Sequence, residues 1–208
     1  MPFILKIKHI MKNKKLWITL AVIVVFGFII YGNIKGTYNT MVTMDEGVTA
    51  QWAQVENVYQ RRADLIPNLV ATVKGYADHE QGTLQGVIEA RAKATSVNID
   101  PSNLNDASIQ KFQAAQDGLS SALSKLMVVV ERYPDLKANQ NFLELQTQLE
   151  RTENRIAVER RNFNTAAQGY NTYIRTFPKT FYASMFGFEK KAYFAAQEGA
   201  ETAPKVEF

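Results

Sequence analysis

Cysteine is absent from all 208 residues. That removes disulfides, thiolate metal sites, thiol nucleophiles and the acylated cysteine of a lipoprotein. Proline and glycine are scarce, at 6 and 11, and long stretches carry neither, a poor composition for many short strands joined by turns. Histidine occurs only at His9 and His79. His79-Glu80 opens the H-E-x-x-H pattern of a helical zinc site, but position 83 is Thr83 and His9 lies beyond a long apolar run, so too few ligands remain. No G-x-S-x-G elbow, P-loop or glycine fingerprint occurs, which leaves hydrolase, nucleotide and dinucleotide readings without support. Carboxylate pairs such as Glu150 and Glu153 read as a solvated helix face. A cryptic hydrolase would need two acids converging in a cleft, which spacing alone does not establish. The sequence offers no catalytic residue, no metal ligand set and no cofactor site.

Acidic residues are missing from the first 16 positions, where Lys6, Lys8, Lys12, Lys14 and Lys15 cluster. The pI near 9.2 arises there: without those five, 19 basic residues face 20 acidic ones. Everything after residue 16 is close to neutral, so a nucleic-acid partner is not expected.

What the chain does have is one long uncharged run, from Leu16 through Tyr31 and on to Ile34. At ~1.5 Å per residue, residues 16–34 reach about 28 Å, close to the hydrocarbon thickness of a bilayer. A cleaved signal peptide would have a shorter apolar core and small residues at the cut, and GNIKGTYNT offers no convincing pair. The run is apolar on every face, unlike a surface helix. Residues 16–34 therefore read as a transmembrane helix, with Leu16, Trp17, Phe26, Phe28 and Tyr31 as anchor residues and 1–15 as a basic flank. Lysines before the span against Lys35 alone just after it place the N-terminus in the cytoplasm and the remainder outside, in the periplasm if the cell is Gram-negative.

Between residues 38 and 178 apolar residues recur at three- and four-residue steps, a helical period. One stripe runs Met41, Met44, Val48, Trp52, Val55, Tyr59. A second runs Leu65, Leu69, Val73, Tyr76, Leu84, Val87, with Asp64 as its N-cap and Pro67 in its first turn, so a break or kink is expected at residues 60–68. Residues 95–106, rich in Ser, Asn and Asp around Pro101, form a loop. A third stripe carries Ile109, Phe112, Leu119, Leu123, Leu126 and Val130. The fourth carries Phe142, Leu145, Leu149, Ile156, Phe163, Tyr170, Tyr173 and Phe177 at coiled-coil spacing. The expected fold is all-α: an N-terminal transmembrane helix followed by an antiparallel up-down four-helix bundle with long helices.

In that topology the fourth helix returns toward the bilayer and delivers residues 179–196, an aromatic-rich C-terminal segment. Phe177, Phe181, Tyr182, Phe186 and Phe188 are candidate membrane-interface residues; the competing expectation is that the segment caps the bundle core. Residues 197–208 read as a flexible tail. Among the charges, Glu159 occupies a core-facing heptad position, and Arg62 or Arg91 is its candidate partner in a register-fixing ion pair. The alternative is ordinary surface pairing.

The strings QRRADLIPNLVATVKGYADHE (60–80), YPDLKANQNF (133–142), ERTENRIAVERRNFN (150–164) and YNTYIRTFP (170–178), with Arg91, closely resemble the bacterial LemA family. The resemblance covers roughly residues 38–190. It implies a single-pass membrane protein with an antiparallel helical bundle and no established enzymatic activity.

The functional expectation is a non-enzymatic, membrane-anchored scaffold without cofactors. Its partners would be the lipid bilayer and further copies of itself, as a homo-oligomer that organises or remodels the membrane. The rival is an adaptor that holds another envelope protein or a protease through a bundle face.

Overall fold

A computed structural model describes the backbone of residues 2–195, and side chains from Lys14 onward. Every regular element among the described residues is helical: α1 (Pro2–Lys74), α2 (Gln81–Ser96), α3 (Asp106–Val130), α4 (Pro134–Lys137), α5 (Gln140–Arg175) and α6 (Lys179–Phe186). The all-α expectation holds, with long helices and an N-terminal apolar helix. The expected flexible tail at 197–208 lies outside the described residues.

The chain divides into two compact units. One takes the chain up to Thr43 together with Tyr173–Glu189; the other takes Met44–Thr172 and the chain from Lys190 on.

In the second unit α1 and α5 run antiparallel. As positions along α1 fall from Tyr76 to Arg62 to Trp52, their partners in α5 and its cap rise from Asn139 to Glu153 to Phe163. α2 runs back along α1, with Arg91 reaching Ala63, and α3 packs on α2 and returns, with Gln116 reaching Ala94. These contacts are consistent with the expected up-down order, but one turn is in a different place.

The break or kink expected at residues 60–68, with Asp64 as an N-cap, is not a break: α1 continues to Lys74. The chain turns instead at Gly75–Glu80, where the amides of Tyr76 and Ala77 both reach the Val73 carbonyl, at 3.0 and 2.9 Å. The reason lies in the buried stripe. Val48, Trp52, Val55, Tyr59, Arg62, Ile66, Leu69 and Val73 are all buried at unbroken three- and four-residue steps. Leu65, expected in the core, is only half-buried, and Ile66 fills its place. Burying large apolar side chains, at roughly 1.5–3 kcal/mol each, outweighs the local preference of Pro67 for a helix start.

The remaining ends are set by polar side chains. The amide of Ser108 donates to the Asn105 carboxamide at 2.9 Å, while Ser108 Oγ accepts from the Asn105 amide at 3.1 Å, a capping box that starts α3. Asn139 caps α5 by accepting from the Phe142 amide at 3.0 Å.

Candidate membrane-contact and register sites

In the unit that includes the apolar run, α1 exposes its large side chains on all sides: Leu16, Trp17, Phe26, Phe28 and Tyr31 are each more than half exposed. Such a surface is costly in water and suited to hydrocarbon. One turn beyond Ile34, Tyr38 receives the α6 segment. Phe186 and Phe188 meet its ring edge-on, with centroids 5.0 and 5.7 Å away.

α6 ends at Gly187, whose φ of 76° is the left-handed conformation that a residue with a side chain rarely adopts. That turn lets the Phe188 amide reach the Ala183 carbonyl at 2.9 Å and aims Phe188 at Tyr38. Ala183 is buried, whereas Phe177, Phe181 and Met185 are exposed at 76, 72 and 63 %. Phe181 and Met185, four residues apart within α6, share one helix face, while Phe177 lies in the turn just before the helix. Lys179 covers the Tyr173 ring at 3.9 Å, so cation and aromatics share this surface. Of the five candidate interface residues, Phe181 is exposed on α6 and Phe177 in the turn before it, Phe186 and Phe188 dock the segment on Tyr38, and Tyr182 is half-buried. Met185 was missed; its spacing from Phe181 was the available signal.

The aromatic segment does not act as one piece. Phe194 is buried in the other unit, where it stacks on Trp52 at 5.9 Å and meets Phe163 edge-on at 5.5 Å. The segment thus divides: its aromatics before Gly187 include exposed ones, and after Lys190 it packs into the bundle core.

Arg62 is the centre of the polar network in the bundle. It is 2 % exposed, and its Nη1 donates to Ser120 Oγ and to Glu153 Oε2, each at 2.9 Å. Nη2 donates to the Gln116 side chain at 2.8 Å, and the guanidinium lies over the Tyr59 ring at 5.1 Å. Gln116 in turn donates to the Ala94 carbonyl, so α1, α2, α3 and α5 are tied at one level. Burial pushes the Tyr59 phenol up, with Arg160 and Arg62 opposing the shift.

The expected pairing of Glu159 with Arg62 or Arg91 is corrected. Glu159 is buried as its heptad position requires, but its carboxylate pairs with Arg155 at 2.7 Å and accepts from Asn162 at 2.9 Å, both on its own helix. A residue one turn along α5 or less reaches it with no chain rearrangement. Glu153, two turns nearer the N-terminus of α5, is level with Arg62. Arg91 donates through Nε to the Ala63 carbonyl at 2.7 Å.

His79 and Glu80 lie in the turn between α1 and α2, where Glu80 accepts from Arg132 at 2.9 Å and from Tyr133 at 3.2 Å. Among the described residues no group of three or more His, Asp or Glu side chains converges in a metal-ligand arrangement.

An exposed apolar helix, long enough to cross a membrane, continuing into a helical bundle fits a membrane-associated helical-bundle protein of single-pass type. The chain belongs to the LemA family, whose pattern it matches over residues 51–208. It is 29 % identical over 182 residues to magnetosome protein MamQ 2 of Paramagnetospirillum magneticum, covering 79 % of this chain and 67 % of that one. It is 29 % identical over 185 residues to magnetosome protein MamQ of Magnetospirillum gryphiswaldense, with the same coverage. Protein LemA of Metamycoplasma hominis is 25 % identical over 170 residues, covering 82 % of this chain and 74 % of that one.

Proposed function

We propose that this protein is a non-enzymatic membrane scaffold: anchored by residues 16–34, contacting the bilayer a second time through α6, and self-associating laterally to organise or remodel the membrane. The observation that carries the reading is the exposed Phe181 and Met185 face of α6, with exposed Phe177 just before it, in a segment docked on Tyr38 one turn beyond the uncharged run. Two contacts restrict how the membrane-facing unit lies on the bilayer more than a single span does, which favours lateral assembly. Membership of the LemA family supports a membrane-associated role. The lysine distribution supports a cytoplasmic N-terminus and an extracytoplasmic bundle.

Single-particle imaging of the full-length protein extracted with its native lipids tests assembly and lipid contact together. Ordered multimers with α6 against lipid support the scaffold. Monodisperse monomers, in lipid as well as in detergent, overturn it and favour the adaptor.

A further inference from the structure

After α6 the chain enters the bundle unit as a short non-helical strap, Lys190–Ala195. Two asparagines on α5 hold it. Asn171 accepts from the Lys191 amide at 2.9 Å and donates to the Lys191 carbonyl at 2.8 Å. Asn164 does the same for Phe194, at 2.9 and 3.0 Å. Seven helical residues separate the asparagines and advance ~10.5 Å; three strap residues cover that distance only if nearly fully extended. The clamp is thus built for an extended backbone, whose groups it reads without regard to side chain.

Two side chains add selectivity. Lys191 is buried with its ammonium 2.8 Å from Asp45, and Phe194 fills an aromatic box of Trp52, Phe112 and Phe163 with the Arg160 guanidinium 4.9 Å over its ring. Together these recognise an extended Lys-x-x-Phe segment. The rim remains open: Tyr193, Phe194 and Ala195 edge a groove of about 820 Å³ that continues along α5 past Arg160 toward Glu153.

We propose that the cradle of Asn164, Asn171, Asp45 and the aromatic box, beside this groove, is an exchangeable peptide-binding site, and that residues 190–195 of a second copy of this chain occupy it in trans. The inference rests on the self-association proposed above and supplies its contact. Every copy carries both the cradle and its ligand, and the strap is held in the cradle by non-covalent contacts alone. Exchange replaces each contact with an identical one, so its cost is confined to association and to the linking residues after Gly187. Confinement to one bilayer raises the effective concentration of partner straps and lowers that cost.

The test uses the full-length chain in native lipid, where the lack of cysteine makes engineered thiols unique. Two differently tagged copies are co-expressed, one carrying Gln168→Cys and the other Tyr193→Cys, both positions lining the groove, and treated with a short bismaleimide. A crosslinked heterodimer is expected. It is lost when the Tyr193→Cys copy also carries Phe194→Ala, and lost on adding excess synthetic peptide of residues 188–195. If the Gln168→Cys/Tyr193→Cys double variant closes within one chain while the mixed copies give no heterodimer, the strap does not exchange and the proposal falls. A heterodimer indifferent to Phe194→Ala and to peptide overturns it too, since proximity would then come from another face. Amine-reactive crosslinking of the same membranes separates the two readings. Ladders without the groove crosslink leave the scaffold standing and remove only strap exchange; no ladders remove both.

Discussion

Arg91 Nε donates to the Ala63 carbonyl across 2.7 Å, and the residue four positions after Ala63, whose amide would ordinarily fill that place, is Pro67. Proline has no amide hydrogen. A side chain from α2 therefore completes the hydrogen-bond ladder of α1, and α1 passes a residue that would otherwise leave a half-buried carbonyl without a partner. The same bond fixes where α2 sits along α1.

Arg91→Ala leaves that carbonyl unsatisfied and lowers stability by about 1–3 kcal/mol. Pro67→Ala, which restores an amide, recovers part of the loss in the Arg91→Ala background. A double-mutant cycle by chemical denaturation measures the coupling, and additive effects would show that Arg91 and Pro67 do not share this carbonyl.

Arg62→Ala removes the charge from a network joining four helices and leaves Gln116 buried with its Oε1 unpartnered. Glu153 is half exposed and regains water, so the cost is that of the unsatisfied buried Gln116 amide, about 1–3 kcal/mol. Arg62→Met, which keeps the stem's packing, is expected to cost less. Thermal unfolding ranks the two, and equal melting temperatures for Arg62→Ala and the parent chain would refute the network's structural weight.

Glu56 lies half-buried on α1, and burial raises its carboxyl above the ordinary range, opposed in part by the indole N–H of Trp52. A raised carboxyl binds its proton more tightly in the folded chain than in the unfolded one. Its contribution to stability is thus favourable on acidification and is lost as pH rises through the folded-state value. Glu56→Gln is expected to raise the unfolding midpoint at neutral pH, with the gain vanishing below the ordinary carboxylate range. A gain that persists unchanged into acid would point to some cause other than this titration.

Asn171→Asp keeps the acceptor for the Lys191 amide but turns the donor facing the Lys191 carbonyl into a repelling oxygen. The strap should loosen, and trypsin should cut after Lys190 or Lys191 at a low dose that leaves the parent chain intact. Mass spectrometry of the products locates the cut. Protection equal to the parent's would mean that the other strap contacts, among them the Asn164 pair, Phe194 and the Lys191–Asp45 ion pair, hold it without the Asn171 pair.

Phe181→Trp, made in a Trp17→Phe background so that the anchor carries no indole, places a tryptophan on the exposed face of α6. In liposomes with brominated acyl chains its fluorescence is expected to be quenched beyond that of the Trp17→Phe parent, whose one remaining tryptophan, Trp52, is buried in the bundle. Quenching equal to that parent's would show that this face does not reach the bilayer.

Most of the fold was legible in the sequence because helix periodicity and hydrophobic length are local properties. The uncharged run at 16–34, the stripe through Met41 and Trp52, the polar loop near residue 100 and the heptads of α5 each follow from residues a few positions apart. Pro67 misled the reading because the compensation for its missing amide comes from Arg91, on another helix. Glu159 was placed correctly on the buried face, but its partner depended on the axial stagger between α1 and α5, and packing across the bundle set that at the level of Glu153.

The sequence by itself determined that the chain is helical, that one helix is apolar all round, and that basic charge precedes it, because each property is written in composition and local spacing. Only the tertiary structure decided where α1 turns, which acid Arg62 meets, and how the aromatic C-terminal segment divides. These depend on which long-range partner completes a carbonyl, a guanidinium or an aromatic box. The segment at 177–194 shows the difference plainly: Phe181 and Phe194 are alike in sequence, yet one lies on an open helix face and the other is drawn into the core by Trp52, Phe163 and the asparagine clamp of α5.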